Sequence, residues 1–133
     1  MKAVLLVSHG SRSSKTKEEV GALVEVLKKC GKADIFELAF LELELPSMPE
    51  GIDICAARGA VRIVVLLTFL NSGRHVNTDI PQIVREAQVK YPQISFSITT
   101  PVGQHPGIAD LFTDLIDHIP PSLTLPTRGR EVP

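Results

Sequence analysis

The chain has 133 residues, of which 44% are apolar and 22% charged, and its net charge is −1. That balance describes one globular domain with room for a core. It excludes a disordered chain and gives no ground for a nucleic-acid or membrane-surface partner, so any polyanionic ligand must be held by local clusters of Lys and Arg. The opening "MKAVLLV" is too short for a signal-peptide core, and no apolar run approaches the ~20 residues that cross a bilayer. Cys30 and Cys55 fall in segments that read as helical. Two such thiols suit a reducing compartment, and the expected location is cytoplasmic.

"AVLLV" is a continuous branched apolar run, the pattern of a strand buried on both faces. After "SHGSRSSK" the period changes: Val20, Leu23, Val24 and Leu27 form one helical stripe. Thr16 with Glu19 offers a capping box for that helix, and Gly31 its end. "ADIFELAFLELEL" reads as a long strand whose closing alternation sets Glu42 and Glu44 on one face. "PSMPEGIDICAARGA" is a helix between Pro49 and Gly59, "VRIVVLLTFL" the most hydrophobic strand, and "NSGRHVN" a loop. "TDIPQIVREAQVK" is a helix and "ISFSITT" the last strand. The final helix carries the stripe Ile108, Leu111, Phe112, Leu115, Ile116 and Ile119. The order βαβαβαβα predicts an α/β fold, a four-stranded parallel sheet with helices on both faces on a flavodoxin-like plan. The domain runs over 1–119, and the Pro-rich stretch 120–133 reads as a poorly ordered tail.

Ligands of such sheets bind beyond the carboxyl ends of the strands. There the sequence places Ser8, His9, Gly10, Ser11 and Arg12 after the first strand, and Glu42 and Glu44 at the end of the second. Asn71, Ser72, Gly73, Arg74 and His75 follow the third strand, and Gly103, Gln104 and His105 the fourth. A histidine after a strand is ordinarily a turn residue. His9 and His75 stand apart because both occupy equivalent places beside Gly and Arg. Imidazole with carboxylate suits divalent cobalt, nickel, iron or zinc, and imidazole also takes a proton near neutral pH. At least one of Glu42 and Glu44 must face the cleft, Glu42 first and Glu44 as the alternative. Arg12, Lys15, Lys17 and Arg74 would suit a substrate carrying several carboxylates. His105 reads as a loop or supporting residue, and His118 as a cation closing a helix C-terminus.

"VSHGSR", "AFLELELP", "FLNSGRHVNTDIP" and "PVGQHP", in this order, resemble the short single-domain sirohydrochlorin cobaltochelatases of the class II chelatase family, from about Lys2 to about Ile119. The resemblance implies a chelatase-like half domain that inserts a divalent metal, cobalt or else nickel, into sirohydrochlorin without ATP, in cobalamin or related tetrapyrrole biosynthesis. His9 and His75 would bind the metal, which is a substrate; no prosthetic group is implied. Glu42 would join them as a catalytic group, and Ser11, Arg12, Ser72, Gly73 and Arg74 would contact the tetrapyrrole. A homodimer with its cleft between subunits is expected. Leu45 stands where family members often carry a second Glu before the Pro. Two alternatives remain at this level: histidine-phosphatase-like phosphoryl transfer, which lacks its arginine because Ser8 precedes His9, and a noncatalytic flavin- or tetrapyrrole-binding module.

Overall fold

The computed structural model describes residues 1–126. It contains β1 (Lys2–Ser8), α1 (Ser14–Leu27), β2 (Ile35–Phe40), α2 (Met48–Ala57), β3 (Arg62–Leu67), α3 (Ile80–Lys90), β4 (Ser95–Ile98) and α4 (Ile108–Asp117). The four strands form one parallel sheet in the order β2-β1-β3-β4. The α/β expectation with a four-stranded parallel sheet is met.

β1 lies between β2 and β3, with Leu5 registered against Glu37 and Val65. Ala3 to Val7 are all buried, which is why that strand needs an unbroken apolar run. One face of the sheet carries Leu5, Val7, Val65 and Leu67 against Met48 and Ile52 of α2 and Ile80 of α3. The other carries Val4, Leu6 and Phe36 against Val24 of α1. Each fully buried Leu or Ile contributes about 1.5–3 kcal/mol from removal of apolar surface from water.

Local signals explain most of the boundaries. The α2 N-terminus is a capping box: the Glu50 amide donates to Ser47 Oγ at 3.3 Å, and the Ser47 amide to Glu50 Oε1 at 3.2 Å. Gly31 and Gly59 end helical segments at positive φ. The capping box expected for α1 does not form. That helix begins at Ser14, with Ser13 as its N-cap and no side-chain cap, because the preceding loop is tied down by its own Ser13 N–H to Ser11 Oγ bond.

Two further sequence expectations are corrected. β2 stops at Phe40 rather than running on through Leu45. Phe40 is registered against Ser8, the last residue of β1, and the regular ladder ends there. Residues 41–46 form an irregular loop instead, with Leu43 at φ 68° and a cis Leu45–Pro46 bond, and the Leu/Glu alternation there imitates a strand. Second, His75 is not in a loop. It opens a π-helical turn, His75–Asp79, continuous with α3, in which the Ile80 amide donates to the His75 carbonyl. The apolar stripe expected on α4 is present, and no residue of α4 is buried.

Cys30 is exposed, Cys55 is buried, and both are free thiols. Burial, reinforced by the Glu37 carboxylate, pushes the Cys55 thiol up to about 11. Of the tail, Pro121–Leu123 forms a 3₁₀ turn, and the part of that expectation covering 127–133 lies outside the described residues. Among the described residues no helix is long and apolar enough to cross a membrane.

Candidate metal centre

Adjacent strands β1 and β3 deliver their following loops to the same edge of the sheet. His9 is the first residue after β1, and its backbone carbonyl accepts the Glu42 amide at 3.1 Å, while Ser8 accepts the Leu41 amide at 3.0 Å. These bonds replace the missing strand ladder and bring the 41–46 loop across the end of β1. Gly10 makes the crossing possible. It sits at φ 103°, and a Cβ there would lie 1.8 Å from the Glu42 carbonyl oxygen.

The result is a three-residue cluster. One ligand atom from each of His9, Glu42 and His75 lies within 4.8 Å of the others. The imidazole centroids are 5.0 Å apart with planes at 65°, and His9 Nε2 is 2.7 Å from Glu42 Oε1. Glu42 therefore faces the cleft. Glu44 turns back instead and accepts the Ser11 amide at 2.8 Å, and Lys17 Nζ donates to the Leu45 carbonyl at 2.7 Å. The acidic loop is thus tied to the loop after β1 through Ser11 and to α1 through Lys17.

Sequence reasoning missed Asp79. Its Oδ2 is 2.8 Å from His75 Nδ1. An ionised carboxylate only accepts, so Nδ1 carries the proton and Nε2 keeps its lone pair for a ligand. The signal was available: on one helix face, positions 75 and 79 are neighbours at i and i+4, but reading "NSGRHVN" as a loop hid it.

Ser11 and Arg12 line a shallow cavity of about 450 Å³ with Ser13, Lys17, Leu43 and Glu44, next to the cluster. Gly73 accepts the Asn77 amide within the π turn, Arg74 is exposed at its start, and Ser72 Oγ accepts from Gln104 Nε2. His105 does not join the cluster; its Nδ1 accepts the Gly107 amide at 2.8 Å and so caps the entry to α4. His118 folds onto the last turn of α4, with Nδ1 at 2.9 Å from the Asp114 carbonyl and 3.1 Å from its carboxylate.

Two imidazoles and a carboxylate converging from the loop after β1, the 41–46 loop and the π turn before α3 form a nitrogen–oxygen donor set for a borderline divalent ion, and they leave coordination positions open. On this fold, that defines a chelatase-like α/β domain. The structure of the sirohydrochlorin chelatase SirB from Bacillus subtilis subspecies spizizenii in complex with cobalt matches it with a TM-score of 0.80. That match has 32% identity and covers 87% of this chain and 50% of that one. A CbiX family profile matches residues 3–119, and the chain belongs to that family. It is 36% identical over 115 residues to the chloroplastic sirohydrochlorin ferrochelatase of Arabidopsis thaliana, covering 86% of this chain and 51% of that one. It is 32% identical over 133 residues to the sirohydrochlorin cobaltochelatase of Priestia megaterium, covering 99% of this chain and 43% of that one. The chain spans about half the length of these curated relatives.

Proposed function

We propose that the protein inserts a divalent metal, cobalt or iron, into sirohydrochlorin, with the metal as a substrate. The observation that carries this reading is the meeting of His9, Glu42 and His75 at the carboxyl edge of the sheet, in a family whose named relatives divide between cobalt and iron chelatases. Cobalt is the first choice of the two and nickel an assay arm, because such a donor set discriminates poorly among these ions. The working unit in this reading is two copies of the chain, as the resemblance to the short chelatases implies.

Insertion must strip water from the ion, hold it against one face of the macrocycle and remove two pyrrole protons. His75 offers Nε2, oriented through Asp79. His9 Nε2 is hydrogen-bonded to Glu42, so an ion arriving there displaces the shared proton to water and leaves the carboxylate ionised. Imidazoles hold the ion while leaving positions for the ring nitrogens, and each new bond to a ring nitrogen releases a pyrrole proton. Glu42, freed from His9, accepts the first, and water carries the second away. Ser11, Arg12 and Lys17 border the cavity that would take peripheral carboxylates of the ring, and Arg74, with Ser72 and Gly73, borders the opposite loop.

The test is a spectroscopic metallation assay of the purified protein with sirohydrochlorin and each of Co²⁺, Fe²⁺ and Ni²⁺. His9→Ala and His75→Ala should each slow insertion by at least ~100-fold, beyond the usual cost of losing an outer partner of a ligand, with the fold intact by circular dichroism. A double variant that metallates at the normal rate would remove the assignment.

A further inference from the structure

The two imidazoles of the cluster are held by different means. His75 keeps Asp79 on its Nδ1 whatever its Nε2 does. Among the described residues His9 has one polar partner, Glu42 at 2.7 Å from Nε2, and that is the bond an arriving ion takes away. The His9 side chain is 47% exposed and lies just past the end of β1, so a ring with no other hold would turn freely. A free imidazole divides its time among about three χ1 wells and two ring orientations.

What remains against it is aromatic. The Phe69 and His9 rings meet in a T, with centroids 6.4 Å apart and planes at 89°, an arrangement that aromatic quadrupoles favour. Phe69 is itself well anchored. It lies two residues beyond β3, half-buried, with its side chain against the core that holds Leu67 and Ile80. Thr68 donates from its amide (3.3 Å) and its hydroxyl (2.9 Å) to the Val7 carbonyl, which ties the exit of β3 to that of β1. From the exit of β4, the Gly103 amide donates to the Phe69 carbonyl at 3.3 Å. The approach is so close that a Cβ on Gly103 would lie 1.7 Å from the Leu70 carbonyl oxygen, and Gln104 Nε2 donates to Ser72 Oγ at 2.5 Å. The stretch "PVGQHP", which supplies no ligand to the cluster, thus backs the β3 exit.

We propose that Phe69 is the positioning residue of His9: its ring holds the imidazole in the arrangement that points Nε2 into the cluster, before and after Glu42 lets go. This rests on the metal-binding reading above. The size of the effect follows from populations. Apparent affinity scales with the fraction of chains whose ring is already in place. Releasing His9 among about six arrangements should therefore weaken metal binding ~3–10-fold.

A cobalt titration of the full chain, without tetrapyrrole, should show that loss in Phe69→Ala. Phe69→Leu keeps apolar bulk against the core, so it should stay folded where the alanine variant does not, and it should weaken binding ~3-fold through loss of the aromatic contact. A double-mutant cycle separates positioning from a general loosening of the fold. In a His9→Ala background either substitution should change the residual cobalt affinity by less than ~2-fold, whereas in an Asp79→Ala background the full factor should return. Without metal, cross-relaxation between the His9 and His75 ring protons, expected at a centroid separation of 5.0 Å, should weaken in Phe69→Leu. Unchanged affinity, an equal loss in the His9→Ala background, or an undiminished ring-to-ring contact would each overturn the role of Phe69. The proton contact is read without an ion, so a parent chain that binds no cobalt would count against the proposed function and leave that test of Phe69 in force.

Discussion

Replacing Gly10 with alanine tests the link between the end of β1 and the metal cluster. The residue sits at φ 103°, which costs an L side chain ~1–3 kcal/mol. The new Cβ would also lie 1.8 Å from the Glu42 carbonyl oxygen, so the two loops must part by more than an ångström. That movement breaks the Glu42 N–H to His9 carbonyl bond of 3.1 Å, worth about 1 kcal/mol. Together the losses come to about 3 kcal/mol, or about 10 °C in Tm for a domain of this size. The same separation carries Glu42 away from His9, and cobalt affinity should fall ~10–100-fold. Gly21→Ala is the control: it lies in α1 with nothing within 4 Å of a Cβ and should stabilise by about 0.5–1 kcal/mol. Urea unfolding and a cobalt titration followed by visible absorbance measure both effects. If Gly10→Ala keeps its stability and its cobalt affinity, the close approach does not organise the site and the argument from it is wrong.

Asp79→Ala should lower cobalt affinity ~10–100-fold while changing stability by less than about 1 kcal/mol, since the His75–Asp79 pair is partly exposed. Asp79→Asn should retain more affinity, because its carbonyl can still accept from Nδ1; equal losses in the two variants would argue against an orienting role. Glu42→Gln should slow insertion by ~100-fold or more while cobalt binding weakens much less, because the amide cannot take a pyrrole proton; parallel losses in binding and rate would make Glu42 a ligand only. A further prediction concerns acid stability. The Tyr91 hydroxyl, and then Lys90, hold the Asp53 carboxyl below its usual range. A depressed folded pKa gives stability that is present above the unfolded value, about 3.8, and is lost as pH falls through the lower folded value. Tyr91→Phe should therefore lower Tm near neutral pH and converge with the parent chain in strong acid; a gap that widens on acidification would show the sign to be wrong.

Regular elements were legible because their causes are local. A branched apolar run must be buried on both faces, so "AVLLV" had to be a central strand, and helical stripes separated by Gly and Pro set the alternation and hence the parallel sheet. His9 and His75 stood out because strand ends in such a sheet share one edge. The misread segments are those where tertiary partners overrule pattern. The Leu/Glu alternation after Phe40 fits a strand, but β1 ends at Ser8 and only the Leu41 and Glu42 amides still bond back to Ser8 and His9, so the chain turns, Glu42 goes to the cleft and Glu44 goes back to Ser11. His75 sits in a π turn that no 3.6-residue period announces, which concealed its pairing with Asp79. The stripe on α4 announced an apolar face correctly but not its place, since amphipathicity says that a face must be covered and not by what. Sequence alone thus determined which residues would be inside and which strand ends would bring imidazoles to one edge of the sheet. The distances that turn three side chains into one donor set, and the exposure of the α4 stripe, were decided only in three dimensions, where hydrogen bonds and close backbone approaches between residues far apart in the chain fix the geometry.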